Sequence, residues 1–442
     1  MISRLKKLWK SLGPGLITGA SDDDPSGIVT YTVAGSRLGP AAAWTMLYIL
    51  PLMVTIQEMS ARIGISSSCG LAGNLKRYYS KSTLLFMAVL IVAANIFNIG
   101  ADVFAMAAAI DMFLPGNEIP NSTVLVSWLV VFLILTLIII LPYRTIVAIF
   151  KWLAFSLFAY VLAGLIAINN WPALIWHTII PTVHLSKEGL LILIAVFGTT
   201  ISPYMALWQA SEEAEEKKLQ NPVKGSKYMC EYRIVTKNEL GRTTQDTRIG
   251  MFFSNFIGFF IIALTGSVLF GGGFTQVQTI REAAEALRPI AGDYAYILFS
   301  LGVISAGLLA IPILAGSSAY VLSEVFNWGG SLDKPFSKAK EFYLVIVVST
   351  FLGLIIPYTG ITAVQALLWT SIIHGIVAPF LIGMLIHMAN NPAIVGPNVN
   401  SKRANILSYL ALSLMTIAVL VFFALEFPIP SIQASILNTF NL

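Results

Sequence analysis

The chain has 442 residues, of which 57% are apolar and only 11% charged, and its mean hydropathy is +0.79. This composition excludes a soluble globular protein, and several apolar runs are long enough to cross a hydrocarbon core of roughly 30 Å. The net charge of +5 does not indicate a nucleic-acid partner, because the basic residues lie between the apolar runs. We therefore predict an all-α polytopic membrane protein with one domain in the lipid bilayer.

The amino terminus is short and basic, and no small-residue cleavage site follows it. We therefore expect residues 1–13 to be a cytoplasmic segment rather than a removed signal peptide. The first apolar run comes next, at about residues 14–36, and the rest of the prediction depends on it.

Three carboxylates and a proline interrupt this first run, at Asp22, Asp23, Asp24 and Pro25. An ionised carboxylate in hydrocarbon is costly, so an acid inside a membrane span indicates a functional site. Proline breaks the helix, and the carbonyls that it frees are tolerated only where they face protein or a cavity. The combination predicts a cation site. The alternative is that Asp22 and Asp23 lie at the outer mouth and that the proline only kinks the helix.

The apolar runs predict eleven membrane spans. Their approximate limits are 14–36, 40–61, 83–113, 123–142, 145–168, 188–217, 248–270, 290–326, 341–357, 361–388 and 404–426.

The distribution of charge predicts the orientation of these spans. Of the 27 lysines and arginines, all but Arg37, Lys187, Arg281 and Arg288 fall on the side of the amino terminus. That side is therefore expected to be the cytoplasm. The two cysteines, Cys69 and Cys230, would also lie there, and we expect neither a disulfide framework nor a CxxC metal site.

Two connecting segments have patterns of their own. The cytoplasmic loop 218–247 is polar, and we expect a solvated hairpin with a turn at residues 238–241, with two short strands as a variant of it. The outer segment 280–288 alternates charged and apolar residues at helical spacing, which predicts a short amphipathic helix on the outer face.

A second interruption lies in the sixth span, at residues 198–204 around Pro203. Five spans separate the two breaks, and interrupted segments at matching positions of two halves indicate a transporter site between inverted repeats. Spans 1–5 (14–168) and 6–10 (188–388) would be the repeats, with the helix at 404–426 peripheral.

The interrupted spans resemble those of the NRAMP family of divalent-metal transporters. The resemblance covers roughly residues 14–426 and implies an inverted 5+5 helix repeat, the LeuT-like fold. The residues that carry it are Gly13-Pro14, Asp24-Pro25, Ala34-Gly35-Ser36, Gln57, Ala61-Arg62-Ile63-Gly64, Gly70-Leu71, Gly198, Thr200 and Pro203.

The chain also departs from the family pattern, and the departures resemble a divergent branch, the NRAMP-related magnesium transporters. The family's coordinating asparagine, its metal-binding methionine and the histidine after the proline are replaced by Gly27, Ser202 and Tyr204. Of the acid pair in the third helix only Asp102 remains, and Phe351 stands where the family has an arginine in the ninth helix.

These replacements favour a hard, hydrated cation. A thioether suits transition metals, whereas carboxylate, hydroxyl, carbonyl and water suit Mg²⁺ and Mn²⁺, and Mg²⁺ keeps several of its waters. Simple helix packing is the alternative role for Ser202, since small residues are common at membrane interfaces. The expected metal-binding residues are Asp24, Ser26, Gly27, Thr199 and Ser202, and those of the transport path are Tyr204, Asp102 and Glu58.

We therefore expect a monomeric transporter of Mg²⁺ and Mn²⁺ in the cell membrane, without a cofactor or enzymatic activity. It would not require proton movement, because the acid, histidine and arginine network of the proton-coupled relatives is largely missing. Three alternatives stay open: a proton-coupled Mn²⁺/Fe²⁺ symporter of the same fold, an amino-acid transporter, and an intramembrane aspartyl hydrolase.

Overall fold

The computed structural model of the chain describes residues 18–19, 21–114, 122–141, 145, 155–182, 186–220, 230, 234–332 and 334–426. All regular structure within these ranges is helical. In chain order the α-helices are α1 Pro25–Leu38, α2 Trp44–Ser67, α3 Leu71–Tyr78, α4 Lys81–Asp111, α5 Ser122–Ile140, α6 Phe158–Ala167, α7 Trp171–Ile179, α8 Lys187–Thr200, α9 Pro203–Gln220, α10 Lys237–Thr265, α11 Ile280–Ala284, α12 Arg288–Ala291, α13 Ala295–Phe326, α14 Lys340–Gly353, α15 Ala363–Ala389, α16 Pro392–Val395 and α17 Lys402–Glu426.

Nine of the predicted spans, the second to fourth and the sixth to eleventh, are confirmed. Nine helical segments of the described ranges are long and apolar enough to cross a membrane, and the sixth span combines α8 with α9. Their limits differ from the predicted ones by up to six residues, except for the seventh span, which begins at Lys237 instead of residue 248. The first and fifth spans fall partly outside the described residues, where α1 and α6 are their described parts.

The start of α10 corrects the predicted hairpin at residues 238–241. The Thr236 hydroxyl accepts the Glu239 amide at 3.2 Å, and the Glu239 carboxylate accepts the Thr236 amide at 2.8 Å. This reciprocal capping box satisfies backbone donors that would otherwise lack partners, and it starts a helix where a turn was expected. The remainder of the predicted hairpin, residues 221–229 and 231–233, lies outside the described residues.

The outer segment around residues 280–288 is helical, as predicted. Thr279 caps α11 with a second capping box that involves Glu282, and a short 3-10 turn joins α11 to α12. Ile280 and Leu287 are buried, whereas Arg281 and Arg288 are exposed, so the segment packs its apolar side on the bundle.

The two cysteines form a disulfide, contrary to the expectation that none would form. The Cα atoms of Cys69 and Cys230 lie 5.2 Å apart. Cys69 follows α2 and Cys230 follows α9, and these two helices pack against each other. Their ends therefore bring the two connecting loops together, which the separation of 161 residues along the chain conceals.

Apolar side chains cover the outside of the bundle and small residues lie between its helices. On α5, Leu129 and Ile140 are exposed, as side chains that face lipid are. Inside, a side chain at Gly198 of α8 would collide with the backbone of Ser371 and Gly375 on α15. Close approach of helices at small residues is the usual packing of membrane bundles.

Ion pairs connect the two halves of the chain at opposite ends of the bundle. Arg37, at the end of α1, pairs with Glu188 at the start of α8. Arg248 of α10 pairs with Glu58 of α2. The Thr265 end of α10 lies next to α1, and Arg248 is about 25 Å away from it along the helix.

Candidate metal site

Two prolines create the two breaks around which the site is built. Pro25 begins α1 and Pro203 begins α9, so the unwound residues are 23–24 and 201–202. Proline has no N–H group, and the carbonyl four residues earlier therefore loses its helical donor. These carbonyls belong to Ser21 and Thr199. The breaks predicted from the sequence are confirmed, although they are shorter than expected because Ser26 and Gly27 already belong to α1.

Hydroxyl groups bind both of these freed carbonyls. The Tyr204 hydroxyl donates to the Ser21 carbonyl oxygen at 3.3 Å, and the Ser202 hydroxyl donates to the Thr199 carbonyl oxygen. Both breaks are thus stabilised by side chains of the second broken span, Ser202 and Tyr204. A hydroxyl that donates its proton still has lone pairs, so both oxygens can also act as ligands.

Asp24 is the centre of this arrangement. It is the N-cap residue of α1, where negative charge is favoured by the helix dipole. One carboxylate oxygen accepts the Gly27 amide at 2.7 Å and the Ser26 hydroxyl at 2.6 Å. The other lies 3.1 Å from the Asn98 amide nitrogen and 3.4 Å from the Tyr204 hydroxyl. Three donors thus surround a carboxylate that is only 1% exposed, and the Tyr204 hydroxyl is shared between this carboxylate and the Ser21 carbonyl.

The two broken helices face each other across the cluster. The Ser26 and Thr199 hydroxyl oxygens are 3.5 Å apart. A Cβ atom at Gly27 would lie 3.5 Å from the Asp22 carbonyl oxygen and the Thr199 hydroxyl, and 3.6 Å from the Asp24 carboxylate. Oxygen atoms therefore surround the space that a larger side chain at Gly27 would fill. We call Asp24, Ser26, Gly27, Thr199, Ser202 and Tyr204 the Asp24 cluster.

The other two residues predicted for the transport path lie in different surroundings. Asp102 is fully buried near Asp24, and its carboxylate lies beside the backbone of Ser26. Glu58 instead pairs with Arg248 and belongs to the ion pair between α2 and α10. Asp102 thus borders the cluster, whereas Glu58 makes no contact with it.

Sequence reasoning missed the residues that support the cluster from neighbouring helices. Asn98 precedes Asp102 by one helical turn on α4, and this spacing on an apolar helix was the signal that could have found it. Tyr31 bonds Thr200 at 2.9 Å and Thr30 bonds Ser371 at 2.8 Å. These contacts hold α1 against the second half of the chain, and nothing in local sequence indicates them.

Asp22 and Asp23 are buried, so the alternative that they lie at an outer mouth is wrong. They are 1% and 2% exposed, and both approach the hydroxyl of Ser254 on α10. The residues of the Asp24 cluster are buried as well. The site is therefore closed to solvent in this conformation, and an ion can reach it only after a rearrangement.

The chemistry of the donors is that of hard cations. Among the described residues, no three histidine, cysteine, aspartate or glutamate side chains converge as a metal site. The Asp24 cluster offers one carboxylate, four hydroxyl groups and freed carbonyls. Such a set suits a cation that keeps part of its water shell.

Comparison with known proteins now identifies the family. Residues 15–425 match the family described as Nramp, natural resistance-associated macrophage protein-like. The chain belongs to the NRAMP family. The divalent metal cation transporter MntH of Clostridium acetobutylicum is 22% identical to this NRAMP chain over 431 residues, which are 96% of the chain and 92% of that relative.

Solved structures confirm the LeuT-like fold of this NRAMP protein. The Eremococcus coleocola manganese transporter, solved with an aromatic bis-isothiourea compound, has a TM-score of 0.75 at 16% identity and covers 99% of this chain and 92% of its own. A Na⁺-coupled sialic acid symporter in its outward-open state has a TM-score of 0.56 at 13% identity, with coverages of 93% and 90%. The inverted-repeat architecture predicted from the paired breaks is therefore correct.

The positions at which this NRAMP chain departs from the family pattern lie in apolar or hydroxyl surroundings. Phe351 packs its ring 6.0 Å from Trp128 and 5.9 Å from Phe132, in an aromatic group. Tyr204 lies 5.5 Å, between ring centroids, from His374 on α15. Both ring nitrogens of His374 lack a hydrogen-bond partner among the described residues. His374 is therefore packed against the cluster through its ring.

Proposed function

We propose that this protein carries hydrated divalent cations, Mg²⁺ foremost and Mn²⁺ as well, across the cell membrane by alternating access and without obligatory proton movement. One observation carries the proposal. A carboxylate, hydroxyls and freed carbonyls converge from two broken helices in a closed site within the bundle. Broken helices at matching positions of two repeats are typical of cation sites in transporters.

The preference for Mg²⁺ follows from volume and donor type. Mg²⁺ binds through one or two carboxylates and retains several waters, which need space. Gly27 leaves methyl-sized room between three oxygen atoms, each 3.5 to 3.6 Å from the position of a Cβ atom, and that room would widen only as the site opens. Ser202 provides a hydroxyl where a thioether would favour softer metals. The cluster thus suits an ion that arrives partly hydrated, and Mn²⁺, which also accepts oxygen ligands, would be carried with it.

Tyr204 and Phe351 support transport without obligatory proton coupling. Tyrosine titrates near 10, so Tyr204 is a poor proton carrier at neutral pH. Phe351 packs among aromatic rings and cannot tune a neighbouring acid by charge. The membrane potential can drive the transport, because a divalent cation gains about 4.6 kcal/mol across 100 mV, negative inside.

A single chain in the cell membrane, with its amino terminus in the cytoplasm, would suffice for this function. Both broken helices belong to one chain, and the cluster between them is complete without a second copy. The lysine and arginine bias supports the orientation.

Influx into liposomes tests the proposal. Purified protein is reconstituted with an internal metal-sensitive dye or an internal pH dye, and Mg²⁺, Mn²⁺, Ca²⁺ and Cd²⁺ are added outside. We expect Mg²⁺ and Mn²⁺ influx that follows the membrane potential, without matching acidification. Asp24→Ala should abolish it, because the variant removes the carboxylate at the centre of the cluster. Asp293→Asn, whose side chain is 96% exposed, is the matched control and should transport normally.

Two outcomes would contradict the proposal. Influx at the normal rate in Asp24→Ala would move the site elsewhere. Metal-dependent acidification that disappears in Asp102→Asn would make Asp102 a proton carrier and support the proton-coupled transition-metal symporter instead.

A further inference from the structure

Four carboxylates lie buried around the first break without a positive partner. Asp22, Asp23, Asp24 and Asp102 are each at most 2% exposed, and none forms an ion pair with a described lysine, arginine or histidine. A buried carboxylate is strongly destabilising unless a cation, a proton or several donors compensate it. Asp24 has three donors of its own and shares the Tyr204 hydroxyl with the Ser21 carbonyl. Asp22 and Asp23 do not.

Asp22 and Asp23 share one hydroxyl. The Ser254 oxygen lies 2.6 Å from one carboxylate oxygen of Asp22 and 3.3 Å from one of Asp23. A serine hydroxyl has one proton and can donate to only one of them at a time. The second carboxylate oxygen of Asp22 is buried and has no hydrogen-bond partner among the described residues. Among the described residues, the pair therefore has one shared hydroxyl donor and no positive partner.

The carboxylates of this pair have different hydrogen-bond partners from that of Asp24, although the Asp22 carbonyl oxygen borders the Asp24 cluster. Asp24 is held by α1 itself, by Asn98 of α4 and by Tyr204 of α9. Asp22 and Asp23 contact α10 through Ser254. The first break thus presents carboxylates to two different sets of helices, and within the described ranges no side chain is hydrogen bonded to both Asp24 and Asp22.

We propose that Asp22, Asp23 and Ser254 bind a second divalent cation, separate from the ion at Asp24. Two carboxylates balance the charge of one divalent ion, and the Ser254 hydroxyl adds a neutral oxygen ligand. Carboxylate, hydroxyl and water ligands select the hard ions Mg²⁺, Mn²⁺ and Ca²⁺. This inference rests on the proposed function, since it takes the transported class of ion as the ligand.

The number of bound ions tests this proposal directly. Purified protein in detergent is equilibrated by dialysis with radioactive Mn²⁺ alone, and bound ions are counted per chain. We expect two in the unmodified protein and one in the double variant Asp22→Asn/Asp23→Asn. Asp24→Ala should also bind one, and the triple variant none. Asp293→Asn should keep two. Ser254→Ala, which leaves both carboxylates, should bind two but with weaker affinity for one of them.

The variants control for one another. In the double variant, the ion that remains at Asp24 shows that the protein has kept its fold. One ion in the unmodified protein, lost in Asp24→Ala and kept in the double variant, would overturn the second site and leave the proposed function intact. Two ions that both persist in the double variant would also overturn it. Absence of any bound Mn²⁺ in the unmodified protein would contradict the proposed function and the second site together.

Discussion

Gly27 and Ser202 set the selectivity of the site at the scale of single residues. A side chain at Gly27 would enter the space between three oxygen atoms and leave less room for the waters of a hydrated ion. We expect Gly27→Asn combined with Ser202→Met to lower Mg²⁺ influx by about tenfold, equivalent to about 1.4 kcal/mol. Influx of Mn²⁺ or Cd²⁺ should rise relative to Mg²⁺, because a soft ligand replaces a hydroxyl. Competing influx into liposomes measures the ratio.

One further variant separates the loss of the Ser202 hydroxyl from the gain of a thioether ligand, and a second variant is a control. Ser202→Ala removes the hydroxyl without adding a thioether, and it should weaken Mg²⁺ influx without favouring Cd²⁺. Ser36→Ala changes a buried hydroxyl of α1 whose one partner among the described residues is the carbonyl of Val33, and it should have no effect on selectivity. Unchanged Mg²⁺ preference in Gly27→Asn/Ser202→Met would contradict the proposal that the site binds a hydrated ion. Size-exclusion chromatography should first show that this variant elutes as a single species.

Helix breaks determine which backbone groups the site can use. Pro203→Ala restores an N–H group that can bond the Thr199 carbonyl and continue the helix across the break. We therefore expect at least a tenfold loss of Mg²⁺ influx in liposomes with little change in thermal stability. Pro51→Ala, at an exposed position inside α2, is the control and should transport normally. Full transport in Pro203→Ala would show that the freed carbonyl has no part in the mechanism.

The sequence predicted structural elements best where they depend on residues that are close together along the chain. Pro25 and Pro203 indicated both breaks, since a missing N–H acts on the same helix. The capping box of Thr236 and Glu239 was also local, but the polar composition around it concealed the helix start. The Ser254 contact depends on how α10 packs against the first break, and no spacing along the chain indicates that.

The whole molecule has an orientation that labelling can test. In a background with Cys69→Ser and Cys230→Ser, we introduce Gln276→Cys in the predicted outer loop or Ser337→Cys in a predicted cytoplasmic loop; both positions are exposed. A membrane-impermeant maleimide added to intact cells should label the first variant and not the second. Labelling of Ser337→Cys alone would reverse the topology that the charge bias predicts.

The distribution of lysine and arginine and the resemblance to the NRAMP family predicted the overall architecture, because both draw on residues along the whole chain. They did not predict the pairing of Cys69 with Cys230. That pairing depends on how the ends of α2 and α9 pack together. The predicted cytoplasmic location of both cysteines led to the wrong expectation that no disulfide would form.

The ion pairs Arg37–Glu188 and Arg248–Glu58 lie at opposite ends of the bundle and are similar in strength. Each has at least one side chain more than half exposed, and such pairs contribute only about 0–1 kcal/mol. Breaking either pair therefore requires little free energy. Dissolved salt screens both pairs alike. Ionic strength should thus change how long the protein stays shut without changing which side it then opens to.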